Sequence, residues 1–555
     1  MASPSPAKQL PLVRPAQSGA GDAKIRFLLI LLTLVAMCPL LVGEFTTWDD
    51  FRAIERNAWL NPPSFAHLAQ FWNPAHAFMD IWIPLTYTLW SAVAAVSYIP
   101  AADPQTGSHL NSWIFHGANL LVHLASVLVV YAILKRLIAS KWAAAAGAAL
   151  FAVHPVQVEP VGWLAGMKDL LSGCLSLIAI WQYLLYTNAG AKGFAPRAVF
   201  ERASAPSKAR IGAGDPPQAL DDEGPIANKN ARRLHYALAT AAFALSMLAK
   251  PSGIVTPLIV AAFDWLLLSR PIRRVLLSVL PWLLLTIPII AIARKVQAPT
   301  DLAVPLLQRP LIAGDALAFY LCKLVWPLHL GIVYDRTPQK VLSEHFTHYT
   351  WIAPVAIAVA MLLLRRRLPW LIAAGAVFCA ALLPVLGFAP FDFQKFSTVA
   401  DHYLYLALLG PALAAAIALR NVRHRAVWLA AWMVLLCFCA RAFLQTFTWH
   451  DSLSLYRNAV AVSPRSCVCY NNLGETYRLA GNMEQALGTF ETGLHYNPDC
   501  LDVRVTYANA LMSDRRFDQA ERQYHIALQS ADPRTASYIE QNLKNLNAAR
   551  KLQRR

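Results

Sequence analysis

The 555 residues contain no Walker phosphate loop, no glycine-rich dinucleotide turn, no Gly-x-Ser-x-Gly elbow and no His/Cys spacing suited to a metal. The nucleotide-, hydrolase- and zinc-dependent classes that those motifs mark are therefore set aside. No Cys-x-x-Cys occurs. Charge is scarce: only 15% of residues are charged, and 32 acidic side chains face 49 basic ones. A soluble domain of ordinary composition would carry more charge than this. No small-residue cleavage site follows the first apolar run, which reads as a retained anchor.

What the chain has instead is apolar length. It is 57% hydrophobic with mean hydropathy +0.40, the profile of an all-α polytopic membrane protein with a polar tail. The formal net charge of +17 sits in short clusters between apolar runs. That distribution is positive-inside topology, so no nucleic-acid partner is expected. Lys24 and Arg26 precede the first run and Glu44, Asp49 and Asp50 follow it, which puts the N-terminus in the cytoplasm.

Counting onward, the expected spans are 25–42, 113–137, 142–153, 170–186, 234–249, 254–268, 275–293, 350–364, 369–388, 403–419 and 427–443. That makes about 11, with the C-terminus outside. Residues 311–333 are long enough to cross. However, spanning there would put Arg365, Arg366 and Arg367 outside, so a non-spanning or re-entrant segment is favoured. Residues 1–24 are a cytoplasmic tail, 44–112 an external loop and 188–233 a polar cytoplasmic linker. Residues 79–99, broken by Pro84, read as an interfacial helix. Cys38, Cys174, Cys322, Cys379, Cys437 and Cys439 lie in apolar segments. Cys467, Cys469 and Cys500 fall in the tail, where spacing alone pairs none of them.

The tail, 446–555, repeats with a period of 34. Tyr470, Gly474, Tyr477, Ala486, Phe490 and Pro498 match the tetratricopeptide spacing, and adding 34 gives Ala508, Leu511, Ala520 and Tyr524. Subtracting 34 gives Ser452 at the small position, Tyr456 at the large one, and Pro464. A truncated repeat therefore begins directly after the last span. The tail reads as an α-solenoid whose stacked hairpins bury a shared face, with 542–555 as a basic capping helix.

Chemistry, if present, belongs at the external membrane face. ATP and nucleotide sugars are scarce there, so a donor would be carried by lipid. Asp49 and Asp50 emerge at that height and suit a general base. The competing reading makes Thr47 a helix cap with Asp50 as its capping-box acid. His154 and Glu159 close the third span, and Lys168 and Asp169 open the fourth. Lys250 sits in an external turn against the positive-inside trend, which suits an anionic lipid phosphate. Asp401 and His402 top a later span, and Arg441 lies inside the last one. The plainer readings are a helix-end cap for His154, a local ion pair for Lys168 and Asp169, and snorkelling for Arg441. Asp264 reads as structural, paired with Arg270.

Taken together, these motifs resemble a known family. Trp48-Asp49-Asp50, Pro84-Leu85-Thr86, His154-Pro155-Val156-x-x-Glu159, Gly166-x-Lys168-Asp169-Leu170-Leu171-Ser172, Lys250-Pro251-Ser252-Gly253, Ala400-Asp401-His402-Tyr403-Leu404-Tyr405 and a repeat tail occur in that order. The chain resembles the transmembrane-and-tetratricopeptide-repeat O-mannosyltransferases of the GT-C superfamily, over nearly its whole length. The resemblance implies a GT-C-like membrane domain over 25–445 and a polyprenyl- or dolichyl-phosphate sugar donor. It also implies inversion at the sugar carbon and an acid of the first external loop as base, with Asp49 and Asp50 both open and Asp50 preferred.

His154, Glu159, Lys168, Asp169, Lys250, Asp401, His402 and Arg441 would then serve the donor. A protein or peptide acceptor would meet the repeat groove that includes Asn471 and Asn472. No cofactor and no metal is expected. Lys168 stands where animal members carry Arg, and Asp401-His402 replaces an acidic–Arg pair, which leaves the sugar open. The Ala/Arg-rich composition suggests a bacterium and hence a periplasmic face. Two rivals are weighed. A lipid-glycan transporter predicts acids within several spans and internal repeat symmetry, and neither is seen. A non-catalytic repeat scaffold would need only one or two spans.

Overall fold

The computed structural model describes residues 19–102, 107–138, 140–188, 227–297 and 304–553. Most of the expected tail 1–24 and of the linker 188–233 lies outside them. Among the described residues no strand forms, apart from one antiparallel bridge between Tyr98 and Leu110.

The chain opens with α1 (Gly19–Met37). Short turns then lead to α2 (Pro84–Ser97), which starts with proline at the first turn, where a missing N–H breaks no helical bond. The bundle continues through α3 (Ser112–Ile138), α4 (Lys141–Val153), α5 (Met167–Asn188), α6 (Ala227–Ala249), α7 (Ile272–Val296) and α8 (Arg309–Val325). It closes with α9 (Ile352–Leu364), α10 (Pro369–Leu382), α11 (Leu409–Leu419) and α12 (Arg425–Thr446).

Helix α4 is central. It packs against α1, α3 and α11, and Ala143, Ala144, Ala148, Ala149 and Ala152 are wholly buried. Small side chains let backbones approach closely. A Cβ on Gly147 would strike the carbonyl of Ala412 in α11. At the start of α1, buried Asp22 binds both Lys135 and Lys141 and so ties down the α3–α4 turn.

Each of the eleven expected spans is helical, but their lengths differ. Six helical stretches are long and apolar enough to cross a membrane: Gly21–Val42, Ser112–Ile138, Leu164–Thr187, Ile272–Val296, Thr347–Leu364 and Arg425–Trp449. A seventh appears if Asp401–Ala407 and Leu409–Leu419, bent by 50°, count as one. Lys141–Val153, Pro251–Leu267 and Pro369–Val385 are apolar but shorter. The count of about 11 includes these and α6, whose first turns carry Lys229, Arg232 and Arg233. Helix α8, with 17 residues, is likewise not among the long apolar helices. Asp264 accepts from Arg270 (2.7 Å) and from the Tyr183 hydroxyl (2.6 Å), as a structural acid should.

The tail is α13 (Ser452–Val462), α14 (Cys467–Leu479), α15 (Met483–Tyr496), α16 (Leu501–Ser513), α17 (Phe517–Leu528) and α18 (Pro533–Gln553). The 34-residue register holds in three dimensions. Ala486, Ala508 and Ala520 are fully buried, and Gly474 lies against the ring of Phe490. A disulfide joins Cys467 to Cys500 at a Cα–Cα distance of 5.9 Å. Arg550 of α18 pairs with Asp518 and Glu521 of α17, both at 2.9 Å. Helix α13 docks on the membrane part: Asn458 Nδ2 donates to Leu330 O and Ser463 Oγ to Val333 O, each at 2.8 Å.

Candidate functional site

A cavity of about 510 Å³ opens where the loop after α1 meets the starts of α5 and of the turn after α6. Trp48 and Asp49 line it on one side, and Lys168 and Asp169 come from the first turn of α5. Lys250, at the N-cap of the Pro251–Val255 turn, and His402 and Tyr403 complete the polar wall. Ala293 and Val296, near the end of α7, add an apolar edge.

The charges are distributed unevenly. Asp169 and Lys250 form an ion pair in which both side chains are mostly buried. Lys168 donates instead to Ala165 O at 2.9 Å and lies over the Trp163 ring, 3.7 Å from its centroid. The ammonium is thereby steadied by a dipole and a π face. His402 Nδ1 and Glu159 Oε1 are 2.6 Å apart, and Glu159 Oε2 accepts from Asp401 N–H at 3.1 Å. Asp401 in turn accepts from the Tyr334 hydroxyl at 2.7 Å. Glu159 and Asp401 thus stand behind His402 rather than on the cavity wall. Burial, reinforced by the Asp401 carboxylate, holds the Glu159 carboxyl well above the usual range.

Asp50 and Asp49 occupy different environments. Asp50 is wholly buried and does not line the cavity. Its Oδ2 accepts from Thr46 N–H (3.1 Å) and Thr46 Oγ1 (2.7 Å), and its Oδ1 from Ala165 N–H (2.7 Å). Burial pushes its carboxyl up to about 6. Asp50 thus ties down the 46–50 turn through Thr46, and no side-chain cap bond forms at the helical turn that follows. The structure thus places Asp49 on the cavity wall and Asp50 behind it, with both Asp50 oxygens accepting from the protein.

Two other expected donor residues are elsewhere. His154 accepts weakly from Val156 N–H (3.5 Å), its Nε2 is 3.1 Å from Leu324 O, and burial draws its pKa down to about 4. It caps a turn. Arg441 donates to Gln445 Oε1 at 2.6 Å and does not line the cavity. Asn471 and Asn472 lie on α14, half-buried in the repeats.

Several cavity residues escaped the sequence reading. Phe391, Phe393 and Phe396 form an aromatic strip, with Phe396 edge-on to Trp48 at 5.8 Å and Phe393 to His402 at 6.0 Å. Their alternation with Asp392, Gln394 and Lys395 was visible but has no helical or strand period long enough to interpret. Asp80 also lines the cavity. It and Met79 adopt left-handed backbone (φ 55° and 54°), a conformation costly for side-chain-bearing residues and found where a site needs it. Among the described residues no group of three or more His, Cys, Asp or Glu is placed to hold a metal ion.

A tetratricopeptide-repeat family model matches residues 477–537. The chain is 24% identical over 154 residues to "Protein O-mannosyl-transferase TMTC3" of Homo sapiens, covering 27% of this chain and 17% of that one. It is similar to the TMTC O-mannosyltransferases. "Protein O-mannosyl-transferase Tmtc2" of Drosophila melanogaster is 29% identical over 150 residues, covering 26% of this chain and 15% of that one. "Protein O-mannosyl-transferase TMTC1" of Mus musculus is 33% identical over 85 residues, covering 15% and 9%. The alignments thus take in less than a fifth of these TMTC relatives' own length. They agree with the family resemblance carried by the ordered motifs.

Proposed function

We propose that the protein is a membrane glycosyltransferase that moves a hexose, mannose in the first instance, from a polyprenyl-phosphate donor to an acceptor hydroxyl, a protein Ser or Thr. The observation that carries this reading is the presence, on the wall of one cavity, of the Asp49 carboxylate together with two lysines, Lys168 and Lys250. The similarity to TMTC O-mannosyltransferases supports the sugar and the acceptor class. The positive-inside pattern supports an external, periplasmic site.

In this mechanism Asp49 accepts the proton of the acceptor hydroxyl as its oxygen bonds to the anomeric carbon. The bond from that carbon to the phosphate oxygen breaks, and the electron pair leaves with the polyprenyl phosphate. Lys168 and Lys250 stabilise the departing phosphate through charge-assisted hydrogen bonds. His402, held by Glu159, borders the same space. The apolar edge at Ala293 and Val296 suits the first units of a polyprenyl chain. The aromatic strip and Trp48 exclude water, which strengthens each of these interactions.

The test is sugar transfer by purified protein in proteoliposomes, from labelled polyprenyl-phosphate mannose to envelope proteins. Wild type transfers, and Asp49→Asn binds donor without transferring. Full transfer by Asp49→Asn would remove the base from the reading. Absence of both binding and transfer in the wild type, across other lipid-linked sugars too, would remove the enzyme.

A further inference from the structure

The half repeat at the start of the tail lacks the first helix of its hairpin, and the 44–50 loop takes that helix's place. In a tetratricopeptide hairpin the small and large residues of the second helix face the first helix. The full repeats follow this rule. Ala486 and Phe490 on α15 face α14, where Gly474 abuts the Phe490 ring. Ala520 and Tyr524 on α17 face α16, where Asn509 accepts from the Tyr524 hydroxyl. One period earlier stand Ser452 and Tyr456 on α13. Their counterpart is Thr47: its N–H donates to Ser452 Oγ at 2.9 Å, and its Oγ1 donates to Tyr456 Oη at 3.4 Å. A third tie runs from Glu44 N–H to His450 O at 2.7 Å.

The small position carries the sharper signal. Both full repeats have alanine there, which can only pack. The half repeat has serine, whose oxygen meets a backbone N–H that alanine would leave without that partner. Asp451 caps α13 by accepting from Ser454 N–H at 2.7 Å, so the first turn that presents Ser452 is itself fixed. Tyr456 is 1% exposed, and burial keeps its hydroxyl protonated. Immediately beyond Thr47 come Trp48 and Asp49, both on the cavity wall.

We propose that Ser452 and Tyr456 are positioning residues for Asp49, and that the half repeat is the clamp that sets the height and aim of the 44–50 loop. This rests on the reading of Asp49 as base. The repeats are then part of the catalytic apparatus, and a displacement of the solenoid is transmitted to the base through two side chains.

The experiment uses the full-length protein as wild type, Ser452→Ala, Ser452→Thr and Tyr456→Phe. Amide hydrogen exchange of the 44–50 segment is measured alongside kcat and donor KM with polyprenyl-phosphate mannose. Ser452→Ala installs the residue that both full repeats carry, so folding is retained. Its 44–50 amides exchange faster and kcat falls about fivefold, the worth of one net hydrogen bond. Donor KM is unchanged, because Asp50 keeps its own bonds to Thr46 and Ala165 and so keeps the hold on Lys168. Ser452→Thr restores both readouts, and Tyr456→Phe gives a smaller loss of the same kind. Unchanged exchange and kcat in Ser452→Ala, or a rise in donor KM alone, overturns the clamp. Faster exchange in a protein that transfers no sugar even as wild type supports the clamp and sinks the glycosyltransferase reading separately.

Discussion

Asp50→Ala separates structure from chemistry in the loop after α1. The carboxylate accepts from three donors, at 3.1, 2.7 and 2.7 Å, in a fully buried position. Each buried donor left unmet costs about 2 kcal/mol, so the three together cost roughly 6 kcal/mol. Charge acts in the other direction. Burial raises the carboxyl from 3.8 to about 6, so at pH 7 the folded state holds an ion disfavoured by about 3 kcal/mol, which alanine removes. The donors win, leaving a net loss of about 3 kcal/mol at pH 7. The pH dependence follows from the direction of the shift. The folded pKa lies above the unfolded one, so wild type is most stable when Asp50 is protonated and loses stability as pH rises through 6. The variant has no such titration, and its deficit therefore shrinks, by about 1.3 kcal/mol between pH 5 and 7. Detergent-denaturation curves in mixed micelles, followed by tryptophan fluorescence at pH 5, 6 and 7, read this directly. A variant as stable as wild type, or a deficit that widens with pH, refutes the assignment of Asp50 to structure.

Other perturbations address the remaining parts. Asp49→Asn lowers the transfer rate by about 10² to 10⁴ while leaving unfolding curves unchanged, since among the described residues no side-chain hydrogen bond or ion pair rests on that carboxylate; a loss of stability instead would move Asp49 into the framework. Lys168→Met weakens donor binding by roughly ten- to a hundredfold, the worth of one hydrogen bond to a charged group, as measured by retention of labelled donor on the immobilised protein. Unaltered retention would clear Lys168 of the phosphate. Cys467→Ser opens a 33-residue loop and destabilises the repeats by about 3 to 4 kcal/mol in the chain-entropy account. Proteolysis of the tail under native conditions should report this as faster cleavage.

Much of the architecture was legible because it rests on periods and run lengths. Apolar runs marked all eleven helical segments, and the spacing of Gly474, Ala486 and Phe490 marked the hairpins, since both signals live within a single element. Candidate residues could be read where they sit at helix ends: Lys168, Asp169, Lys250 and His402 lie at the starts of elements and line one cavity. The choice between Asp49 and Asp50 was not legible. Adjacent residues at a helical turn point about 100° apart, and which one faces the cavity depends on Ala165, more than a hundred positions away. Cys467 and Cys500 were likewise unpaired in sequence because pairing needs the superposition of successive hairpins. The aromatic strip at 391–396 was missed because an irregular loop carries no period.

The partners of Asp50 also bear on how Lys168 is held. Asp49 and Lys168 line the same cavity. Among the described residues no hydrogen bond or ion pair joins them. The link lies at Ala165. Its N–H is fixed by Asp50 Oδ1 and its carbonyl holds Lys168 Nζ, so one peptide unit links the acid behind the wall to the cation on it. The Trp163 face completes the hold on the ammonium. Asp50, which does not line the cavity, thereby helps to fix the cation that does. Asp50→Asn, whose amide keeps an acceptor for Thr46 but turns its NH₂ against Ala165, frees the 164–166 turn. Lys168 can then reach Asp49, and transfer falls together with donor affinity. A loss of rate with donor affinity intact would instead return the base to Asp50.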